Sequence, residues 1–321
     1  MSLDPPSSRL SEFPVSFFST VMGLSGLTIV VHRVSIQLGG GEIIATGLFW
    51  LSLTVFLLLA GFYLTKIGRH FEAVAAEWHH PVRISFFPTI TIGLILLGTA
   101  AQPIDPLLAR LLWGLGAAGH LLLTLAVMAS WLSRTHYEIA HFNPAWFIPV
   151  VGNILVPIAG IHFAPADLSW FFFAIGLLFW IVLMTIGFYR LIFHPPLPGK
   201  LVPTLFILLA PPSAGFLAWV AITGGLDSLA RLLYFGAVFL FLLLLTQIRT
   251  FARQHFALSW WAYSFPLAAF AAATLTMGDL TGSVAYHLAG LVLAGALALL
   301  ITALAVRTLL AVARGEICRP E

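Results

Sequence analysis

Residues 80–101 read HPVRISFFPTITIGLILLGTAA, and this stretch decides the fold. His80-Pro81-Val82-Arg83 opens it, and no ionisable residue follows before Ala101. About 20 apolar residues are what an α-helix needs to cross the hydrocarbon core of a bilayer. Proline in the first turn loses nothing, because that N–H has no intrahelical partner. A second proline, Pro88, sits further in, where it bends a helix. The stretch is therefore a bent membrane helix with its basic end at the start.

Nine other stretches can be set beside it, at about 13–32, 43–65, 106–131, 144–162, 168–191, 201–222, 228–248, 257–277 and 284–308. Every second one begins like the first: Phe13-Pro14, Asn143-Pro144 and Pro196-Leu197-Pro198, with Ser259-Trp260-Trp261 the one start that lacks proline. The same odd-numbered spans carry internal prolines at Pro149, Pro157, Pro203, Pro211, Pro212 and Pro266. At 60% hydrophobic and 8% charged residues, the chain has too much apolar surface for a soluble domain of this length.

Basic residues fix the expected topology. Of fifteen Lys and Arg, all but Arg33, Arg110 and Arg231 fall at the termini or in alternate connections. The positive-inside rule then puts both termini in the cytoplasm and gives an even number of spans. The expected class is an all-α integral membrane fold of ten helices in five parallel hairpins. Residues 1–12 form a cytoplasmic N-terminal segment, 13–312 the transmembrane domain and 313–321 a cytoplasmic tail. The opening residues, with Pro5 and Pro6, do not read as a signal peptide.

Even-numbered spans each follow an acidic residue, Glu42, Asp105, Asp167, Asp227 or Asp279, read as helix N-terminal caps rather than catalytic groups. Repeats that all enter from one side are related by an axis along the membrane normal. Five bent helices inside and five straighter ones outside enclose a hole. Cylinders about 10 Å across in a ring of five leave an opening of radius roughly 3.5 Å.

The inner spans hold no Asp, Glu, Lys, Arg or His apart from the terminal His32, Arg33, Arg83 and His162. This argues against a proton relay or a ring of acids selecting cations. They offer hydroxyls, amides and glycines instead: Ser16, Ser19, Thr20, Gly23 and Ser25; Ser85, Thr89 and Thr91; Gly152 and Asn153; Thr204 and Ser213; Ser264 and Thr274. Singly these are ordinary glue between membrane helices. As a set they predict a neutral, weakly polar wall, with basic residues and helix N-termini at its cytoplasmic mouth.

Other chemistries find little support. Only His120 sits deep in a span, so a haem held between paired histidines is not expected, and His79-His80 and His136 with His141 lack a third ligand at zinc spacing. No nucleophile and base share a face, so an enzyme is not expected. Arg134 and Glu138, four apart, read as a surface helix pair. The single cysteine, Cys318, has no partner for a disulfide or a metal site. The net charge of +3 follows from the topology and implies no nucleic acid.

Five segments in order carry a family resemblance. They are Phe71-Glu72-Ala73-Val74 with His80 to Phe87; Asn143-Pro144 with Val150-Val151-Gly152-Asn153; Leu197-Pro198 with Pro203-Thr204; Ala210-Pro211-Pro212; and Trp260-Trp261-Ala262-Tyr263-Ser264-Phe265-Pro266. Over nearly its whole length the chain resembles the tellurite-resistance/dicarboxylate transporter family, which includes TehA-like bacterial channels and plant slow anion channels. The resemblance implies a central pore in each protomer of a homotrimer in a bacterial inner membrane, with no cofactor or metal. It places a gating ring at Phe265, a second aromatic at Phe87 and a basic residue of the cytoplasmic mouth at Lys66. Where many relatives read Phe-Gly-x-Pro, this chain has Phe18-Ser19-Thr20-Val21, so Phe18 and Ser19 are expected beside the gate. With Gly23, Ser85, Gly152, Asn153, Thr204 and Ser264 they make the expected pore lining. The function so implied is passive conduction of small anions; the alternative is transport of C4-dicarboxylates or export of sulfite or tellurite.

Overall fold

A computed structural model describes residues 8–318; Pro5, Pro6 and Arg319 lie outside them. Among the described residues the chain is helical, with no strand. Its principal helices are α1 (Val15–Leu38), α2 (Glu42–Arg69), a short α3 (Phe71–His79), α4 (Arg83–Ala101), α5 (Pro106–Ser133), α6 (Pro144–Gly160), α7 (Ala166–Phe193), α8 (Gly199–Thr223), α9 (Ser228–Thr246), α10 (Ser264–Thr281) and α11 (Val284–Ala313). Eight are long and apolar enough to cross a membrane; α6 is shorter, and α10 is not among the eight.

Two sets of helices differ in burial. Two thirds or more of α1, α4 and α8 is buried, and α10 is buried from Ser264 to Gly278, whereas a third or less of α2, α5, α7, α9 and α11 is. The exposed set turns Leu58, Leu111, Ile181, Phe239 and Leu299 outward, an apolar coat suited to lipid. Sequence neighbours pack in pairs, α1 on α2, α4 on α5, α6 on α7, α8 on α9 and α10 on α11. Contacts also run from α1 to α4, α4 to α6, α6 to α8, α8 to α10 and back to α1.

The bends take one consistent form. Each buried helix starts as, or just after, a 3-10 turn: Val15–Phe18, Arg83–Phe86, Pro144–Trp146, Gly199–Leu209 and Leu258–Tyr263. In α6 a second one, Gly152–Leu155, lies between Pro149 and Pro157. A 3-10 turn closes its hydrogen bonds one residue early and leaves poorly satisfied carbonyls. Except at Pro144–Trp146, a side chain three residues on supplies a donor at each site. Ser19 donates to Ser16 O, Thr89 to Phe86 O, Thr204 to Leu201 O and Ser264 to Trp261 O, each at 2.6 Å, and Asn153 Nδ2 to Val150 O at 2.7 Å. Outer helix α5 helps α6: Thr124 donates to Pro149 O at 2.7 Å and Trp113 Nε1 to Val156 O at 2.9 Å.

Glycine permits the closest approaches. A Cβ on Gly98 of α4 would lie 2.6 Å from the backbone nitrogen of Trp113 in α5. One on Gly23 of α1 would collide with Ser264 Oγ of α10.

Three readings need correction. Helix α1 runs on to Leu38, where Gly39 ends it at φ 71°, so Arg33 lies inside the helix and donates to Thr276 Oγ1 of α10 at 2.9 Å. Asp105 and Asp227 do cap α5 and α9, and Glu42 and Asp167 sit in first turns, but Asp279 lies within α10 and accepts from Gln37 Nε2 at 3.0 Å. Helix α5 stops at Ser133, so Arg134 and Glu138 are not a helical pair.

Candidate functional site

The bent helices leave room between them. A cavity of about 830 Å³ is lined by residues of α1, α4, α6, α8 and α10, and by α2, α3 and the chain ends at its wide rim. Its lining reaches down to Met22, Ile92, Leu155, Ala214 and the Phe265-Pro266 pair and includes nothing further along those helices. The Phe265 ring is 8% exposed and lies beside Gly26 of α1.

The rim is charged, and its charges balance. Lys66, Arg83 and Lys200 are matched by Glu12, Glu77 and Glu316, and His80 stands with them. The basic mouth expected from topology thus carries as many carboxylates as cations. Positive potential also comes from helix N-termini, since Val15, Ser16, Arg83 and Lys200 are both rim residues and helix starts. Between the rim and Phe265 the wall has no ionisable group. Ser16, Ser19, Thr89 and Ser259 are its hydroxyls; the Ser19 and Thr89 protons are already given to backbone carbonyls, and the Ser259 hydroxyl is buried without a partner. Such a wall holds no charge that would trap an ion.

Of the expected site residues, Ser19, Gly152, Phe265 and Lys66 line this cavity. The others lie outside its lining, each for a visible reason. Phe18 packs edge-on against Phe56 and Tyr63, at 5.8 and 6.1 Å. Phe87 meets Trp78 at 4.9 Å and Tyr63 at 6.3 Å, and its neighbour Phe86 is the one that faces the cavity. Gly23 and Ser264 are pressed against each other. Thr204 is spent on Leu201 O, and Asn153 turns to Val150 O and to Thr124 Oγ1 of α5. Ser85 is fully buried, its hydroxyl among the buried side-chain groups that have no partner.

Sequence reasoning missed Glu77, Phe86 and the deep layer of Met22, Ile92, Ile154 and Ala214. Apolar residues facing a cavity look like any others on a membrane helix. Lys66 and Glu77 lie on separate helices, α2 and α3, on either side of the break at His70, so their spacing along the chain does not show that they meet. Cys318 also reaches the rim, where burial pushes its thiol above the ordinary value, against the opposing pull of Lys66 and Arg9.

Comparison with known proteins is specific. The profile of the family described as voltage-dependent anion channel, SLAC1, matches residues 12–309. The S-type anion channels SLAH2 and SLAH3 of Arabidopsis thaliana are each 32% identical, over 92% and 94% of this chain and 58% and 48% of their own lengths. The chain therefore spans about half the length of these plant relatives. The tellurite resistance protein TehA homolog of Haemophilus influenzae is 29% identical over 80% of the chain and 79% of its own length.

Proposed function

The chain belongs to the voltage-dependent anion channel (SLAC1) family, and from that premise we propose that it conducts small anions of the chloride or nitrate class passively, with the Phe265 ring as its gate. It is an integral membrane protein. In this reading all ten long helices span the bacterial cytoplasmic membrane as five hairpins, with both termini and the charged rim on the cytoplasmic side. The protomers assemble as homotrimers with one pore each.

One observation carries the proposal: a cavity enclosed by the bent helices, free of ionised groups along its wall, runs from a charged rim to Phe265. An anion entering it meets helix N-termini and the unpartnered Ser259 hydroxyl, then a benzyl ring that must turn aside. Ser19 and Gly152 line the path; Phe18, Gly23, Ser85, Asn153, Thr204 and Ser264 hold the lining helices in place. Phe87 supports the rim through Tyr63 and Trp78.

The test is anion flux in liposomes with Phe265→Ala, which should rise severalfold over wild type. An unchanged flux in correctly folded protein would remove Phe265 as the gate. A second reading, a carrier of C4-dicarboxylates or an exporter of sulfite or tellurite, is favoured by the single-ended cavity, the shape a carrier presents in one of its two states. Saturable malate uptake that needs a pH gradient would establish it, and voltage-driven chloride or nitrate current would exclude it.

A further inference from the structure

Two rim residues of opposite charge are locked together. Lys66 Nζ, at the end of α2, donates to Glu77 Oε2 of α3 at 2.9 Å and to the Phe13 carbonyl at 2.8 Å. Glu77 is engaged on both oxygens. Its Oε1 accepts the Val15 N–H at 2.7 Å, and Oε2 also accepts the Tyr63 hydroxyl at 3.1 Å. Both side chains border the cavity, yet they are only 3% and 4% exposed.

A charge this deeply buried is held by its partner, because either one left alone would face the full cost of desolvation. The pair also fixes geometry. Glu77 ties α2 and α3 to the first residue of α1, the helix that carries Ser19 and Met22 into the cavity. For a passing anion the electrostatic consequence is larger. A lone ammonium beside a low-dielectric passage gathers anions from solution. An ammonium set 2.9 Å from a carboxylate presents only a dipole.

We propose that Glu77 is the counter-charge that sets how strongly this mouth attracts anions: it withholds Lys66 from the permeation path and positions the start of α1. This rests on the channel reading above and deepens it. Lys66, the basic residue expected to draw anions in, is then a locked cation, and Glu77 is the lock. Glu12, Arg9 and Cys318 lie around the pair as well, so the local balance includes one further charge of each sign.

The experiment compares anion conductance of wild type and Glu77→Gln at two salt concentrations. Glutamine keeps an acceptor for the Val15 N–H while removing the charge. At about 0.01 M salt, where the Debye length is about 30 Å, the variant should conduct roughly twofold more, and at about 1 M, where it is about 3 Å, the gain should vanish. Adding Lys66→Gln to Glu77→Gln should abolish the low-salt gain. A gain that persists at high salt, that survives loss of Lys66, or that never appears would overturn the proposal.

Acylation of wild-type protein with a water-soluble amine reagent tests the pairing without any variant. Lys66 should react at a small fraction of the rate of exposed Lys200, the other lysine of the chain. Equal rates would refute the lock. Wild-type protein that passes no anions would end the channel reading by itself, and acylation would still decide whether Lys66 is withheld.

Discussion

Helices α4 and α5 are neighbours of similar composition that obey different rules. Helix α5 is regular for 28 residues, begins on an Asp105 cap and shows most of its surface outward. Helix α4 starts in a 3-10 turn, passes Pro88 and is largely buried. The same contrast separates α1, α6, α8 and α10 from α2, α7, α9 and α11. Hydroxyls mark where the winding changes: Thr89, at the 3-10 junction of α4, bonds the carbonyl three residues back, while Thr99 further along α4 and Thr65, Thr185 and Thr302 on outer helices bond the one four back. Hydrocarbon supplies no hydrogen bonds, so irregular backbone is confined to places where protein surrounds it and a local side chain answers it. The bent helices can surround the cavity because the straight ones pack outside them.

The contrast can be broken first at the glycines. Gly98→Ala should destabilise the protein by about 1–3 kcal/mol, since the new carbon meets Trp113 N at 2.6 Å and Ala109 O at 2.9 Å and neither can step aside. Gly61→Ala on α2 has nothing within 4 Å and should stay within about 0.5 kcal/mol of wild type. Thermal unfolding in detergent measures both. Similar losses would mean that the outer helices are packed as tightly as the inner ones.

A smaller effect lies at the 3-10 turns. Thr89→Val keeps the shape and orphans the Phe86 carbonyl, at a cost of about 1 kcal/mol. Thr302→Val on α11 removes a bond to a carbonyl within a regular helix and should cost less than about 0.5 kcal/mol in the same assay. Equal costs would show that the junction hydroxyls answer no special need.

Smallest is the exposed cap of α9. Asp227 is held below the ordinary carboxylate value, chiefly by the Ala230 N–H and also by Trp219 Nε1. A carboxyl whose pKa is lowered on folding stabilises above its unfolded value and loses that contribution as pH falls through the folded one. Hydrogen exchange at the Ala230 amide should therefore lose protection on acidification below about pH 4. Asp227→Asn should remove that pH dependence; if it persists, the protection comes from elsewhere.

Much of the fold was legible because hydrophobic length and proline placement act locally. The 80–101 stretch and its counterparts located the bent helices, and the acidic residues located two caps. The end of α1 was set too early because His32 and Arg33 look like a boundary, yet a guanidinium can stay within a helix when Thr276 accepts from it. Ser19, Thr89, Asn153, Thr204 and Ser264 were noticed as a set, but whether a hydroxyl faces a cavity or its own backbone depends on a turn type that sequence does not specify. Phe265 reached the cavity lining through resemblance alone, as one of 27 phenylalanines. Glu77 stayed hidden because its partners, Lys66 and Tyr63 of α2 and Val15 of α1, come from two other elements.

The tight turns have a further consequence, for reach. A 3-10 residue advances about 2.0 Å along the axis where an α-helical one advances about 1.5 Å. In α6, ten α-helical residues and seven 3-10 residues give a contour of about 29 Å, close to the thickness of a hydrocarbon core of about 30 Å. A uniform α-helix of the same 17 residues would extend only about 26 Å. The mixed winding gives a segment of only 17 residues the contour of a longer uniform helix.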